Sequence, residues 1–282
     1  MSDAIAVLGF GTMGCALVAG MIRSNLVAPE TILVIDPDSL ARERASGLGC
    51  RVSTDPSDAA ACTRMIIAVK PQSFPELALA LGTLQSPTLV ISVMAGVSIA
   101  RLHDACGPHA RCTRCMPNIA AQIGLAVTTY TFAPGCTDVD RDFVQRLLGS
   151  VGTTVEISEN MFNAATAAGG SGPAYLFLLA ETMIDSAVRL GFDHATADRI
   201  VRQSLLGAAT LLARGPRNAA ELRGMVTSQG GTTSAAMAIF DSYGFRAMMH
   251  DALRAANNRG HDLASSAAST QAPHSNGATV QR

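Results

Sequence analysis

A short apolar run leading into a glycine-rich turn is the feature of this sequence that most restricts its fold. Residues 4–8 (AIAVL) precede GFGTMG at residues 9–14, and the following CALVAGMIRSN has apolar residues at helical spacing. A second apolar run, TILVID at residues 31–36, ends in an acid about 20 residues beyond the last glycine. The order strand, glycine turn, helix, strand predicts the first βαβ unit of a dinucleotide-binding domain.

The glycines of this turn have separate physical tasks in that interpretation. Gly9 permits the turn, Gly11 lets the backbone approach a pyrophosphate, and Gly14 allows the helix to pack closely on the strand. The start of the helix offers N–H groups and partial positive charge to the same anion, so the expected cofactor site comprises Gly9, Phe10, Gly11, Thr12, Met13 and Gly14. An ordinary tight turn is the alternative, since glycines mark many turns.

Asp36, which closes the second apolar run, bears on the identity of the dinucleotide. A carboxylate at this place suits a ribose 2′-hydroxyl and repels a 2′-phosphate, so Asp36 favours NADH over NADPH. A solvated strand end is the alternative for Asp36, and Arg42 or Arg44 can turn toward a phosphate instead. The expected cofactor is NAD(P)H with a preference for NADH.

The rest of the chain shows two kinds of apolar pattern. Residues 64–69 and 88–94 are further apolar strands that alternate with helical segments, which predicts a mostly parallel sheet with helices on both faces. After residue 158 helical spacing dominates, over residues 195–213, 217–226, 232–241 and 244–260. We therefore expect an α/β dinucleotide-binding (Rossmann-like) domain at residues 1–158, an all-α domain at 159–264 and a disordered tail at 265–282.

The helices of the second part are apolar over wide arcs. Such arcs exceed what one small bundle can bury, so the sequence predicts that a partner subunit covers part of them. One of these helices opens with SGPAY, where Ser171 is the expected N-cap and Pro173 lies in the first turn.

Composition narrows the class of partner. The chain has 48% hydrophobic and 15% charged residues, a formal net charge of -1 and a sequence pI near 6.6. This balance gives no electrostatic reason to expect nucleic acid or an anionic membrane, and a small molecule is favoured. No apolar run has the length of a membrane span and the N-terminus lacks a basic leader, so we expect a cytoplasmic protein.

The seven cysteines are odd in number and scattered, which favours reduced thiols. Cys112 and Cys115 follow His103, Cys106 and His109, so a zinc site or redox chemistry is the alternative. The stretch ARCTRCMP reads as a strand, however, and residues three apart on a strand point to opposite faces. We expect no metal.

The stretch VTSQGGTTSAAM, residues 226–237, lies far from the nucleotide turn. A glycine-rich turn that leads into a helix makes a group of N–H and hydroxyl donors suited to a small anion. A helix start with Thr232 or Thr233 as N-cap is the alternative and fits the same pattern.

Together with the nucleotide turn, several motifs resemble pyrroline-5-carboxylate reductases in order and spacing, over residues 3–264. They are GFGTMG, AVKPQ (68–72), ISVMAGVSI (91–99), RCMPN (114–118), GGSGPAY (169–175), VTSQGGTT (226–233) and YGFRAMMHDAL (243–253). The resemblance implies reduction of the C=N bond of 1-pyrroline-5-carboxylate by NAD(P)H to give L-proline. It also implies an intertwined homodimer, or a larger assembly of dimers, through the helical domain.

Site residues follow from the same resemblance. It implies that the substrate carboxylate binds Ser228, Gly230, Gly231, Thr232 and Thr233, with Thr233 near the ring nitrogen as the catalytic hydrogen-bond donor. It implies further cofactor contacts from Asp55, Ala68, Val69, Lys70, Pro71, Ala95, Gly96 and Asn118. A solvated loop lysine is the alternative for Lys70.

The sequence departs from the family pattern at or near the site. Gln229 replaces a usual proline, Ile119 and Ala120 replace threonine and proline, Gly170 replaces a frequent serine, and Asp55 replaces an asparagine. Asp55 adds to Asp36 in disfavouring a 2′-phosphate. A reductase of another cyclic imino acid, such as 1-piperideine-6-carboxylate or 1-pyrroline-2-carboxylate, and a non-catalytic cofactor-binding relative stay open. A hydroxyacid dehydrogenase is disfavoured, because the helical domain offers no well-placed histidine or lysine base.

Overall fold

The computed structural model describes residues 5–269, with side chains described to residue 263. The described residues divide into two compact units. The first holds the chain up to Gly170 together with residues from Ala256 onward, and the second is Ser171–Ala255.

The first unit is built on one eight-stranded sheet in the order β3-β2-β1-β4-β5-β6-β7-β8. Strands β1 to β6 pair in parallel, β6 and β7 pair antiparallel, and β7 and β8 pair in parallel. The strands are β1 Ile5–Leu8, β2 Ile32–Ile35, β3 Arg51–Ser53, β4 Arg64–Ile67, β5 Thr88–Ser92, β6 Ala110–Met116, β7 Ala126–Phe132 and β8 Gly152–Glu156. The predicted mostly parallel Rossmann-like sheet is confirmed, and the strand order reverses between β1 and β4, where such sheets bind ligands.

Helices cover both faces of this sheet. They are α1 Thr12–Arg23, α2 Ser39–Gly47, α3 Phe74–Leu81, α4 Ile99–Cys106, α5 Asp138–Gly149 and the short α6 Phe162–Ala165. Two hydrophobic clusters result, one containing Ile5 and Val7 with residues of α1 and α5, the other containing Ala6 and Leu8 with residues of α3 and α4. Alternate residues of β1 thus enter opposite cores, as the two-residue period of a strand requires.

The cysteines of β6 follow the same rule. Cys115 lies in the first hydrophobic cluster and Cys112 in the second, so the two thiols are on opposite faces of the sheet. Burial raises the pKa of Cys112 to about 12 and also raises that of Cys115. The strand predicted for ARCTRCMP is confirmed, and its geometry keeps these two thiols from binding one ion.

The second unit is all helical, as predicted. It contains α7 Gly172–Arg189, α8 His194–Arg214, α9 Ala219–Met225, α10 Thr232–Ser242 and the beginning of α11 Phe245–Ser269. Ser171 occupies the position before α7, but its side chain caps nothing, so the predicted capping role is wrong. The reason is local: a π-helical turn, Thr166–Gly170, precedes it, and Ser171 itself has helical backbone angles.

Three boundaries differ from those expected. Residues 159–170 pack with the sheet rather than with the helices, and so does the end of α11, where Gly260 lies against Asn163. Helix α11 continues to Ser269, so residues 265–269 of the expected disordered tail are helical. The remainder of that tail, residues 270–282, lies outside the described residues.

Within the second unit, hydrophobic side chains face solvent. Ala197 and Val201 are its only buried residues among those described. Leu178 is 64% exposed on α7 and Leu211 is 64% exposed on α8, and many other apolar side chains are similarly open. Helices of this kind need another surface to bury against, which fits the predicted partner subunit.

Candidate active site

The glycine turn after β1 allows three backbone segments to approach closely. Gly9 has a φ of +96°, and a Cβ at this position would lie 2.9 Å from the Ala68 carbonyl group. A Cβ at Gly14 would collide with the carbonyl oxygen of Gly9. Side chains at either position would therefore force the end of β1, helix α1 and the segment after β4 apart.

Gly11 and the start of α1 face open space. A Cβ at Gly11 would meet no atom within 4 Å, and Gly11 stands at the N-cap position of α1 without a side-chain cap. Gly11 and Thr12 are both exposed. The first N–H groups of a helix have no intrahelical acceptor, so this end of α1 offers donors to an anion, and pyrophosphate binding here stays a prediction.

Asp36 is fixed beside the turn by two backbone groups. Its Oδ2 accepts a hydrogen bond from the Phe10 N–H at 2.6 Å, and its Oδ1 accepts one from the Asp38 N–H at 2.9 Å. The Phe10 side chain is fully buried in the core, so only its backbone faces the turn. Arg42 donates to the carbonyl of Asp36 at 2.7 Å, while Arg44 lies 3.4 Å from the carbonyl of Phe10.

The remaining predicted cofactor residues follow four parallel strands of the sheet. Asp55 follows β3, residues 68–71 follow β4, Ala95 and Gly96 follow β5, and Asn118 follows β6. Because β1 to β6 are parallel, these residues share the carboxyl edge of the sheet with the glycine turn.

Among them, Ala68 is anchored by a hydrogen bond from its N–H to the Leu8 carbonyl at 2.8 Å. Lys70 is exposed and precedes a 3-10 turn that begins at Pro71. The Lys70 side chain makes no capping hydrogen bond to this turn, and its contact with a coenzyme stays a prediction.

Asp55 and Asn118 also have local structural tasks. The Asp55 carboxylate accepts a hydrogen bond from the Ser57 N–H at 2.9 Å, which lowers the pKa of Asp55. Asn118 accepts from the Ala120 N–H at 3.2 Å and donates through Nδ2 to the Gly169 carbonyl at 3.0 Å. Asn118 is buried, and its hydrogen bond to Gly169 connects the end of β6 to the π-helical turn before α7.

In the second unit, residues 228–231 form a tight turn. The Gly231 N–H donates to the Ser228 carbonyl at 3.1 Å, and Gly230 has a φ of +72°. Gln229 has no positive φ, so the turn is of type II, with Gln229 and Gly230 at its centre. A Cβ at Gly231 would lie 2.5 Å from Ser228 Oγ, which places the hydroxyl against the turn.

Helix α10 begins directly after this turn. Its N-cap is Gly231, and no side chain caps the helix. The alternative in which Thr232 or Thr233 is the N-cap is therefore wrong, because both threonines already lie inside the first turn of α10. The N–H groups at the start of α10 can donate hydrogen bonds to a small anion, and the turn that begins at Ser228 lies beside them.

An ion pair between a buried arginine and a partly exposed glutamate, near the same edge of the sheet, was not predicted from the sequence. Arg114, at the end of β6, lies with Nη1 3.3 Å from Glu159 Oε1 and with its guanidinium carbon 4.3 Å from the Phe162 ring centre. Burial lowers the pKa of Arg114, and Glu159 opposes that shift. The RCMPN motif contains Arg114, but nothing in the sequence indicates that its charge is buried.

Two general features bear on the chemistry. Within the described part of the chain, no three His, Cys, Asp or Glu side chains are grouped as a metal ligand set. Among residues 5–269, no helix has both the length and the apolar character needed to cross a membrane.

Sequence comparisons place this architecture in a family. The profile described as "Pyrroline-5-carboxylate reductase dimerisation" matches residues 159–263, and that described as "NADP oxidoreductase coenzyme F420-dependent" matches residues 4–96. The pyrroline-5-carboxylate reductase of Haemophilus influenzae is 36% identical over 266 residues, covering 92% of this chain and 97% of its own. That of Synechocystis is 34% identical over 265 residues, covering 93% of this chain and 99% of its own. The chain belongs to the pyrroline-5-carboxylate reductase family.

Solved structures agree with this assignment. A pyrroline-5-carboxylate reductase from Coxiella burnetii superposes with a TM-score of 0.85 at 28% identity, covering 93% of this chain and 99% of its own. The Plasmodium falciparum pyrroline carboxylate reductase, solved with NADP bound, has a TM-score of 0.83 at 23% identity, covering 93% and 98%. The Plasmodium falciparum structure, at 23% identity, supports the fold alone.

Family membership confirms the expected class of enzyme. The chain is an NAD(P)H-dependent oxidoreductase that acts on a C=N bond. It also gives the exposed helices of the second unit a function, since the profile that covers them describes dimerisation.

Proposed function

We propose that this reductase converts 1-pyrroline-5-carboxylate to L-proline, with the substrate carboxylate held by residues 228–233. The observation that carries the proposal is the uncapped start of α10 behind the type II turn. A carboxylate there gains N–H donors, the favourable end of the helix dipole and the hydroxyls of Ser228 and Thr232. Relatives from bacteria, archaea and plants, matched over 96–97% of their own length, carry this activity in their names.

Thr233 is the proposed catalytic residue. When bound, the dihydronicotinamide supplies a hydride to the carbon of the C=N bond. The residues of this chain hold and orient the reactants, which converts their encounter into an effectively intramolecular step. Thr233 donates a hydrogen bond to the ring nitrogen as that nitrogen becomes an amine. No strong acid or base is required, because a protonated imine is already electrophilic.

We propose the glycine turn and the carboxyl edge of the sheet as the coenzyme site. Gly11 leaves space at the start of α1, while residues 68–71, Ala95, Gly96 and Asn118 line the same edge. These features fit a dinucleotide, with the pyrophosphate at α1 and Lys70 free to contact it.

NADH is the proposed preferred coenzyme. The Asp36 carboxylate is fixed beside the glycine turn, where a ribose would lie, and an acid at that place opposes a 2′-phosphate. Asp55, after the neighbouring strand β3, adds a second negative charge. Arg42 is occupied by the carbonyls of Asp36 and Pro37, at 2.7 and 2.8 Å, which weakens the case for a phosphate site.

A homodimer is the proposed minimal assembly, located in the cytoplasm. The exposed apolar faces of α7 and α8 need a covering surface, and a second copy offers the same faces in return. Seven cysteines with unpaired thiols suit a reducing compartment. The near-neutral charge favours a small-molecule partner over nucleic acid.

The test is a panel of cyclic imines with the purified protein. Oxidation of NADH and NADPH is followed with 1-pyrroline-5-carboxylate, 1-piperideine-6-carboxylate and 1-pyrroline-2-carboxylate. The proposal expects the highest kcat/KM with the first of these. A higher kcat/KM with another imine would assign that imine as the substrate instead. Turnover with none of them would contradict the proposal that the protein is a catalyst.

A further inference from the structure

The ion pair of Arg114 and Glu159 joins a buried guanidinium to a carboxylate whose side chain is 38% exposed. Arg114 is 8% exposed as a residue, and its guanidinium lies against both the Phe162 ring and the Glu159 carboxylate. Removing a guanidinium from water is costly unless a partner compensates its charge. An arginine at this place therefore needs Glu159 to stay where it is.

Glu159 has a second contact that joins this pair to another part of the sheet edge. The same Oε1 that faces Arg114 accepts a hydrogen bond from the Ile99 N–H at 2.7 Å. Ile99 is the first residue of α4, and Ser98 caps that helix by accepting from the Arg101 N–H at 3.3 Å. Glu159 thus satisfies an N–H group that the helix leaves without an internal acceptor.

The loop between β5 and α4, residues 93–98, is anchored by hydrogen bonds at both ends. At its beginning, Ser92 Oγ accepts from the Met94 N–H at 3.3 Å, and Ser92 pairs with Arg114 across the parallel ladder. At its end, the Ile99 N–H is bound by Glu159. Ala95 and Gly96, two of the proposed coenzyme contacts, lie between these anchors.

We propose that Glu159, oriented by Arg114, is a positioning residue for the coenzyme, because it fixes the 93–98 loop in the conformation that binds the dinucleotide. The inference rests on the proposed function, since Ala95 and Gly96 are coenzyme contacts only there. Glu159 itself contacts the loop and not the reacting atoms.

A second, more exposed cluster serves as a control for the loss of an ion pair, with side chains 41% and 51% exposed at its arginine and glutamate. Arg141 lies with Nη1 3.7 Å from Glu156 Oε1 and with its guanidinium carbon 4.4 Å from the Phe132 ring centre. It repeats the arginine, glutamate and phenylalanine of the first cluster within the same unit. The described contacts of Glu156 do not include the 93–98 loop, so its loss tests the ion pair without the loop contact.

The experiment compares Glu159→Ala, Glu159→Gln and Glu156→Ala in the full-length protein. The dissociation constants of NADH and NADPH, the KM of the imine and Tm are measured for each. Glu159→Ala is expected to raise the coenzyme dissociation constant by about tenfold, as for loss of a hydrogen bond to a charged group. Glu159→Gln keeps an acceptor for the Ile99 N–H and should stay within about threefold of wild type. Glu156→Ala should leave coenzyme binding unchanged.

Two outcomes would overturn the proposal. In one, Glu159→Ala lowers Tm while coenzyme binding stays at the wild-type value, which is the result of a merely structural ion pair. In the other, Glu159→Gln weakens binding as much as Glu159→Ala, which removes the acceptor role. Because binding is measured directly, a wild type that binds coenzyme but reduces no imine contradicts the proposed function and not this inference.

If the variants do not fold, a measurement on the wild-type protein still tests whether the 93–98 loop binds the coenzyme. Hydrogen exchange is followed with and without NADH. The peptide spanning residues 93–101 should exchange more slowly with coenzyme, and the peptide around Glu156 should change less. Equal change in both peptides would contradict a coenzyme-binding role for the 93–98 loop.

Discussion

The Asp36 carboxylate accepts a hydrogen bond from the backbone N–H of Phe10, with 2.6 Å between Oδ2 and N. The contact joins the end of β2 to the glycine turn after β1. It holds a negative charge at the place where the coenzyme ribose is expected, so we expect coenzyme choice to depend on this residue.

The first prediction concerns that choice. Asp36→Ser should raise the ratio of kcat/KM with NADPH to kcat/KM with NADH by about tenfold, because a charge facing the 2′-phosphate is removed. Asp36→Asn separates charge from geometry, since its amide oxygen still accepts from Phe10. Asp38→Ser is the matched control, because Asp38 caps α2 by accepting from the Leu40 N–H. A wild type that prefers NADPH would reverse the assignment.

The second prediction tests the substrate loop. Thr233→Ala should lower kcat/KM for the imine by about ten- to a hundredfold, which corresponds to roughly 1.5–3 kcal/mol for a hydrogen bond to a charged group. NADH affinity should stay nearly constant. Thr227→Ala is the control, since the Thr227 hydroxyl donates to the Arg223 carbonyl at 2.7 Å within its own helix end.

Thermal protection by proline gives an independent measurement of the same loop. Proline carries the carboxylate without the imine, so it should raise Tm of the wild type and raise that of Thr233→Ala less. Full kcat/KM together with full protection in Thr233→Ala would make this threonine structural and would remove the main support for the substrate site.

The third prediction concerns the turn before α10. Gln229→Pro should raise the free energy of unfolding by about 0.4–1 kcal/mol, since proline suits the first central position of a type II turn and restricts the unfolded chain. The imine KM should fall because less entropy is lost on ordering the loop. Gly230→Ala should cost about 1–2 kcal/mol instead, because Gly230 has a φ of +72°. Destabilisation by Gln229→Pro in chemical denaturation would contradict the turn assignment.

The fourth prediction concerns assembly. Light scattering of the wild type should give at least twice the chain mass of 29.2 kDa. Charges at Leu178 and Leu211, each 64% exposed, should produce an inactive monomer, because the two leucines belong to the apolar faces of α7 and α8. Leu79→Glu is the control: Leu79 is 86% exposed but lies in the first unit. An active wild-type monomer at micromolar concentration would exclude the proposed dimer.

The fifth prediction concerns the pH dependence of stability. Asp140 receives two hydrogen bonds from Arg111, at 2.6 and 3.0 Å, and others from Thr137 at the start of α5. Burial by itself would raise the pKa of Asp140, but the hydrogen bonds from Arg111 and Thr137 outweigh it and the pKa is lowered. The stabilisation is therefore complete above the unfolded-state pKa of about 3.9 and is lost as the pH falls through the folded-state pKa.

Asp140→Ala measures this contribution. At neutral pH the free energy of unfolding should fall by about 1.5–3 kcal/mol, and the difference from wild type should shrink below pH 4. Asp142→Ala removes an exposed carboxylate 3.6 Å from Arg146 on the same helix and should cost less than about 0.5 kcal/mol. A difference that is independent of pH would contradict the role of the Asp140 charge.

Local sequence was sufficient for much of the fold. The apolar runs, the glycine turn at residues 9–14 and the helical spacing after residue 158 predicted a Rossmann-like unit followed by helices, because each signal is contained in a few consecutive residues. The opposite orientation of Cys112 and Cys115 followed from the two-residue period of a strand. Motif order over nearly the whole chain indicated the family.

Tertiary structure decided the contacts between distant parts of the chain. The partners of Asp36, Asn118 and Glu159 depend on strand order and on which loops meet at the sheet edge, and periodicity does not specify either. The same is true of Ser171, whose hydroxyl was expected to cap a helix, and of Thr232, for which capping was the alternative, because both depend on the backbone that precedes them. The burial of Arg114 could not be predicted for a related reason. The sequence shows its charge, but Glu159 and Phe162, which compensate that charge, lie at least 45 positions further along the chain and reach Arg114 only in the folded protein.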